Sequence, residues 1–176
     1  MEVDTVTPAF THALPLAPFT AATARVNEWR GRCLDGFTRA EEAVTETLVS
    51  LAAVKDRGST VKLPHLQGQR VDALVTAIGP AGPFEVEGKI VRMTLDRWRD
   101  HADFRNMLCH GTCKITLDPQ AKWTAVFRLV ALKSNRICRD MLALTENEAE
   151  TLQDEIMRLG RTLSSQLGQL RADLKG

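Results

Sequence analysis

Between residues 26 and 51 the apolar positions fall at Val26, Trp29, Cys33, Phe37, Ala40, Val44, Leu48 and Leu51, at spacings of 3, 4, 4, 3, 4, 4 and 3. Spacings that keep to three and four place side chains on one side of an α-helix, so this segment predicts one amphipathic helix of about seven turns. It starts near Thr20 or Thr23 and stops at Asp56-Arg57-Gly58. Gly31 and Gly36 interrupt it, each weakening it by about 1 kcal/mol relative to Ala. The same pattern returns at the other end of the chain. Leu152, Ile156, Leu159, Leu163, Leu167, Leu170 and Leu174 are spaced 4, 3, 4, 4, 3 and 4. Ahead of them, Thr145-Glu146-Asn147-Glu148 has the form of a capping box, in which a hydroxyl and a carboxylate satisfy each other's free backbone N–H groups. The helix predicted there is about 28 residues, or about 42 Å, long.

The pattern between these two is more broken. Leu63, Leu66, Val71, Leu74, Val75 and Ile78 suggest a second helix, with Pro64 in its first turn and Gly79-Pro80 as its stop. Residues 79–88 hold Gly79, Pro80, Gly82, Pro83 and Gly88 and read as a loop. A third helix is predicted from about Lys89 to Cys109, with Val91, Leu95, Trp98 and Ala102 buried and Gly111 as its C-cap. The next step of that stripe falls on Arg105. The period then changes. Lys114 to Leu117 is strand-like, Asp118-Pro119-Gln120-Ala121 is a turn, and Trp123 to Leu132 alternates, which predicts a β-hairpin at about 113–132. A short helix at 135–143 leads into the last one. Residues 1–18 carry Pro8, Pro15 and Pro18 without periodicity and read as an extended arm, leaving 19–176 as one domain. The expected fold is mainly α: a four- to five-helix bundle with a β-hairpin inserted before the long C-terminal helix.

Charge narrows the partners. With 23 basic and 22 acidic residues, no global field draws the chain to a polyanion, so any nucleic-acid contact must be local. Aromatics are 5% and Tyr is absent, which argues against a base-stacking platform. The acidic start, Met-Glu-Val-Asp, is unlike a secretory signal, and no apolar run is long enough to span a bilayer. A cytoplasmic protein without a membrane partner is expected. Cys33, Cys109, Cys113 and Cys138 are scattered and read as free thiols. Cys109-His110-x-x-Cys113 has a zinc-like spacing but no evident fourth ligand, so neither a metal nor a cofactor is expected.

The candidate chemistry lies at the end of the third helix, in Phe104-Arg105-Asn106-Met107-Leu108-Cys109-His110-Gly111. Of the four histidines, His12 and His65 read as solvent-facing or capping, and His101 as a surface residue or a bystander. His110 keeps company with an arginine. A guanidinium presents a permanent planar fork to phosphate oxygens. An imidazole titrates near neutrality and takes or gives a proton. Together they suit attack of a ribose 2′-hydroxyl on its own phosphate, with no metal. Residues five apart on a helix stand about 140° apart around its axis. Arg105 and His110 therefore converge only if the helix end unwinds at Gly111 or a partner chain brings its own copy. A bland alternative is an ion pair of Arg105 with Glu41, Glu42 or Asp103, and a His110 that merely offsets the helix dipole. Arg92, Arg97 and Arg99 read as a solvated helix face, with a local RNA-facing patch as the other reading.

Arg105-Asn106-x-x-x-His110-Gly111, on a third helix followed by a long final one, resembles the HEPN superfamily of small helical bundles. The resemblance covers roughly residues 20–175, and its specific part is those seven residues. It implies a metal-independent endoribonuclease of the toxin–antitoxin or defence type, acting as a homodimer on RNA, with an antitoxin protein as a further partner. It implies that Arg105 binds the scissile phosphate, that His110 is the acid or base, and that Asn106 orients one of them. The alternative is a non-catalytic dimeric binding, sensor or scaffold module of the same family.

Overall fold

The two regular stripes become the two longest helices, and they pack on each other. The computed structural model describes residues 16–133 and 135–174. Helix α1 spans Leu16–Ala52 and helix α5 spans Glu146–Asp173, 37 and 28 residues. All eight residues of the α1 stripe are buried, none more than 5% exposed. On α5, Ile156, Leu159, Leu163, Leu167 and Leu170 are buried, with Leu152 and Leu174 packed at the margin. The first helix starts earlier than Thr20, so Leu16, Ala17 and Pro18 of the expected arm are helical. An early proline costs little, because first-turn N–H groups have no helical partner. The remainder of the arm, 1–15 with His12, lies outside the described residues.

The two helices run parallel. Arg25 pairs with Glu146 at 2.5 Å, Trp29 Nε1 donates to the Ala149 carbonyl at 2.7 Å, and Arg171 Nη1 reaches Thr47 Oγ1 and the Ala43 carbonyl at 3.0 and 3.1 Å. Gly36 and Gly160 let them approach closely. A Cβ at Gly36 would stand 2.8 Å from Met157 Sδ, and one at Gly160 would stand 3.4 Å from the Gly36 carbonyl and 3.3 Å from the Trp98 ring. Gly36, a weak point of the helix, thus lies at the close approach to α5, where an added methyl would have to displace the flexible Met157 side chain.

Helix α2, Gln67–Ile78, begins after Pro64 rather than around it, which leaves Leu63 and Leu66 57% and 59% exposed. A run of turns follows it, anchored by the fully buried Phe84. The expected third helix is two helices: α3, Lys89–Arg99, and α4, Ala102–His110. At the break the His101 N–H donates to the Trp98 carbonyl at 3.1 Å, three residues back instead of four. This tightened turn re-registers the buried stripe. Ala102, expected inside, is exposed, and Phe104, Met107 and Leu108 face inward instead.

The expected hairpin exists as β1, Thr112–Leu117, and β2, Trp123–Lys133. Asp118 Oδ1 closes its turn by accepting from the Gln120 and Lys122 N–H groups at 2.9 and 2.8 Å. The short helix expected at 135–143 is instead a third strand, β3, Arg136–Thr145, in an antiparallel sheet of order β1-β2-β3. One sheet face sends Trp123, Ala125, Phe127 and Leu144 into the core. Since β1 reaches only as far as Arg128, the β2–β3 pair continues beyond it as a two-stranded ribbon, from Leu129↔Asp140 to Lys133↔Arg136. Among the described residues no helix is long and apolar enough to cross a membrane.

Candidate active site

Helix α4 is held to α1 by three sets of contacts. Phe104 meets the rings of Trp29 and Phe37 at centroid distances of 6.2 and 6.3 Å, in tilted geometry. Arg30 of α1 donates from Nε to the Leu108 carbonyl at 2.7 Å, which places a cation on a helix C-terminus where the macrodipole favours it. Arg105 donates from Nε and Nη2 to the two carboxylate oxygens of Glu41 at 3.0 and 3.3 Å. Of the three acidic partners weighed from sequence, Glu41 is the one that pairs. Burial disfavours the charged guanidinium, but the hydrogen bond and charge of Glu41 outweigh it, so the Arg105 pKa is held above the ordinary arginine value.

The chain leaves α4 abruptly. Gly111 is extended, with φ −75° and ψ 142°, and not the left-handed residue that often ends a helix. Its requirement is space: a Cβ there would lie 2.5 Å from the Met107 carbonyl. The helix does not unwind toward Arg105. His110 is the last residue of α4 and is exposed.

The three predicted residues divide between two clefts. Arg105 and Asn106 line a cleft of 650 Å³ whose floor includes Phe37 and Trp98. Asn106 and His110 line a second of 450 Å³ between α4 and the underside of the ribbon, with Leu129, Ala131 and Asp140 opposite. Asn106 is common to both. On α4 it stands one turn from Asp103 and one from His110, so Asp103, Asn106 and His110 form one exposed stripe, while Arg105 turns aside toward α1. One chain therefore does not bring Arg105 and His110 to the same cleft.

Carboxylates dominate both clefts. Glu41, Asp72, Asp96 and Asp100 line the larger against Arg99 and Arg105, and Asp103 and Asp140 flank His110 in the smaller. Arg99 pairs with Asp72 at 3.2 Å, and Arg92 donates to the Ile78 carbonyl at 3.1 Å. Two of the three arginines of the outer-face patch are therefore tied to the protein itself. His101 Nε2 lies 3.8 Å from Glu155, away from the motif, and His65 is exposed at the start of α2. Among the described residues no group of three or more His, Cys, Asp or Glu is placed to hold a metal. Sequence reasoning named Glu41 only as an ion-pair partner and missed Asp140, whose approach to His110 depends on a strand read as helix.

No family model matches this chain, and neither a curated protein nor a solved structure is significantly similar to it.

Proposed function

We propose that this chain is a HEPN-type, metal-independent endoribonuclease whose catalytic groups are completed by a second copy. The supporting observation is the arrangement of α4. His110 is exposed at the helix end, and Asn106 stands beside it on the same stripe. Arg105 is oriented by Glu41 through Nε and Nη2, so its Nη1 makes no hydrogen bond to the described residues and remains for a phosphate oxygen. In this reading the imidazole takes the proton of a ribose 2′-hydroxyl. That oxygen attacks the adjacent phosphorus, and the 5′-oxygen leaves as a hydroxyl by taking a proton from the imidazolium, giving a 2′,3′-cyclic phosphate. Guanidinium groups stabilise the charge that builds on the phosphoryl oxygens.

The test compares the parent with His110→Ala and Arg105→Ala on total and transfer RNA, with chelator present. The parent is expected to cut, and His110→Ala to lose at least about 100-fold of that activity, the usual contribution of a general acid or base. A parent that leaves RNA intact, or a His110→Ala variant that cuts equally well, ends this reading. Expression in a bacterial host is expected to slow growth, with relief by His110→Ala.

A second reading is favoured by the carboxylates. Both clefts carry more acids than bases, and Arg105 already has a bidentate partner. A non-catalytic binding or scaffold module of the same family needs no phosphate at Arg105. It predicts that Arg105→Ala lowers stability while RNA is untouched by parent and variant alike.

A further inference from the structure

The free edge of β3 carries information about its own occupant. Among the described residues β3 pairs with β2 on one side and with no strand on the other, and Arg136 through Met141 is open to solvent apart from half-buried Cys138. An edge this long, with Ile137 and Met141 59% and 68% exposed, is a ready template for another strand. A second copy of this chain can supply that strand only about a two-fold axis normal to the sheet, which pairs β3 antiparallel with itself and keeps each face together.

Few such registers exist, and charge separates them. Alternation along β3 puts Arg136, Cys138 and Asp140 on the face that Leu142 and Leu144 turn toward the core. Centring the axis on Arg139 sets two arginines opposite each other, and centring it on Asp140 does the same with two carboxylates. Centring it on Ile137 pairs no opposite charges. Centring it on Cys138 sets Arg136 against the partner's Asp140, and Asp140 against the partner's Arg136, on one face. On the other face Ile137 becomes the diagonal neighbour of the partner's Ile137 and the partner's Met141. Neither Arg136 nor Asp140 has an ion-pair partner among the described residues.

We infer that β3 is an isologous interface centred on Cys138, which builds a six-stranded sheet from two chains and sets the partner's Arg136 beside Asp140 at the mouth of the His110 cleft. The feature that ties this to the site is Asp140, which lines that cleft with His110, Asn106 and Asp103. Among the described residues the cleft is lined by two carboxylates and no arginine. The two-fold gives each copy of it one guanidinium, which neutralises Asp140 and places a cation near His110, where Arg105, turned toward Glu41, brings none. The catalytic meaning of this rests on the ribonuclease reading; the interface does not.

Sedimentation equilibrium of the parent, Arg136→Asp, Asp140→Arg and the Arg136→Asp/Asp140→Arg double variant tests the register. The parent is expected to be a dimer and each single variant at least 10-fold weaker in association, with the charge-swapped double variant restored. A mild oxidant should join two chains through Cys138, identified by mass spectrometry and abolished by Cys138→Ser. A monomeric parent, single variants that associate as tightly as the parent, or a cross-link through another cysteine overturns the interface. RNA cleavage is read in parallel. A Cys138-linked dimer that cuts no RNA leaves the interface standing and removes the nuclease. Undiminished cutting by monomeric Arg136→Asp removes both the guanidinium and the second copy from the reaction and leaves a nuclease that works as a single chain.

Discussion

Residues of one type do different work according to what surrounds them, and the glycines and cysteines make this measurable. Gly31 has open space where a side chain would begin, so Gly31→Ala is expected to raise stability by about 1 kcal/mol in denaturant unfolding, the helix-propensity difference with nothing opposing it. Gly58 sits where a Cβ would be 2.4 Å from the Ala52 carbonyl and 2.6 Å from that of Leu51. Backbone cannot step aside as a flexible side chain does, and Gly58→Ala is expected to cost more than about 1 kcal/mol in the same measurement. Burial pushes the Cys33 thiol up to about 12, so almost none of it is thiolate at pH 8. A thiol reagent at that pH is expected to label Cys109 in the folded protein and Cys33 only after denaturant is added. Early labelling of Cys33 contradicts its place at the centre of the α1 stripe.

Among elements, those with a single environment along their length were legible from sequence. Each of α1 and α5 keeps one side against the core throughout, so its stripe never loses period, and Thr145 to Glu148 forms the capping box its residues announced. The Glu148 N–H donates to Thr145 Oγ1, while the Thr145 N–H donates back to Glu148 at 2.9 Å. Thr145→Ala is expected to lower stability by about 1 kcal/mol and to speed amide exchange in the first turn of α5. The hydrogen bonds from the Thr145 side chain, and then from its backbone, hold the Glu148 carboxyl below its ordinary pKa. The carboxylate's share of this cap is therefore complete above the ordinary glutamate range and is lost as pH falls through the lowered folded value, while the bond from the Glu148 N–H to the Thr145 hydroxyl does not titrate. In acid unfolding profiles the gap between Thr145→Ala and the parent should narrow at low pH without closing, since the hydroxyl still accepts from the Glu148 N–H in the parent.

Elements that change partners midway were not legible. No Gly or Pro marks the break at Asp100-His101; it is imposed because α3 packs on α5 through Trp98 while α4 must present Phe104 to α1. The sequence of β3 reads as helix because its first half lies on a ribbon with no core beneath it. There Asp140 and Arg136 take the inward positions and Ile137 and Met141 the outward ones, and the alternation that marks a strand disappears. The candidate site divides the same way. Arg105, Asn106 and His110 were visible as a motif, and Glu41 as a pairing choice. The separation of Arg105 from His110 followed from the helical period. The role of Asp140 required the ribbon.

At the scale of the whole molecule, the Arg105–Glu41 pair joins α4 to α1, and its side chains are 28% and 17% exposed. Glu41→Ala leaves a half-buried guanidinium without its acceptor, which is expected to cost about 1–3 kcal/mol and to loosen α4 as a unit. Amide exchange across Phe104 to His110 should rise together, while that of α5 stays unchanged. His110→Ala removes an exposed side chain and should leave the melting temperature within a degree or two of the parent. The pair of variants thus separates damage to the scaffold from damage to chemistry.

The pairing of α1 with α5 also has a consequence while the molecule is being made. Their contacts join residues 120 to 128 positions apart, so the apolar side of α1 emerges from the ribosome long before its main cover exists. Until α5 is synthesised, Trp29, Phe37 and Leu48 have only nearer segments to shelter them. Non-local closure of this kind is slow. A nascent chain halted before Thr145 is accordingly expected to bind hydrophobic-surface chaperones and to be digested rapidly by protease, and the last thirty or so residues should convert it to a resistant form in a single step.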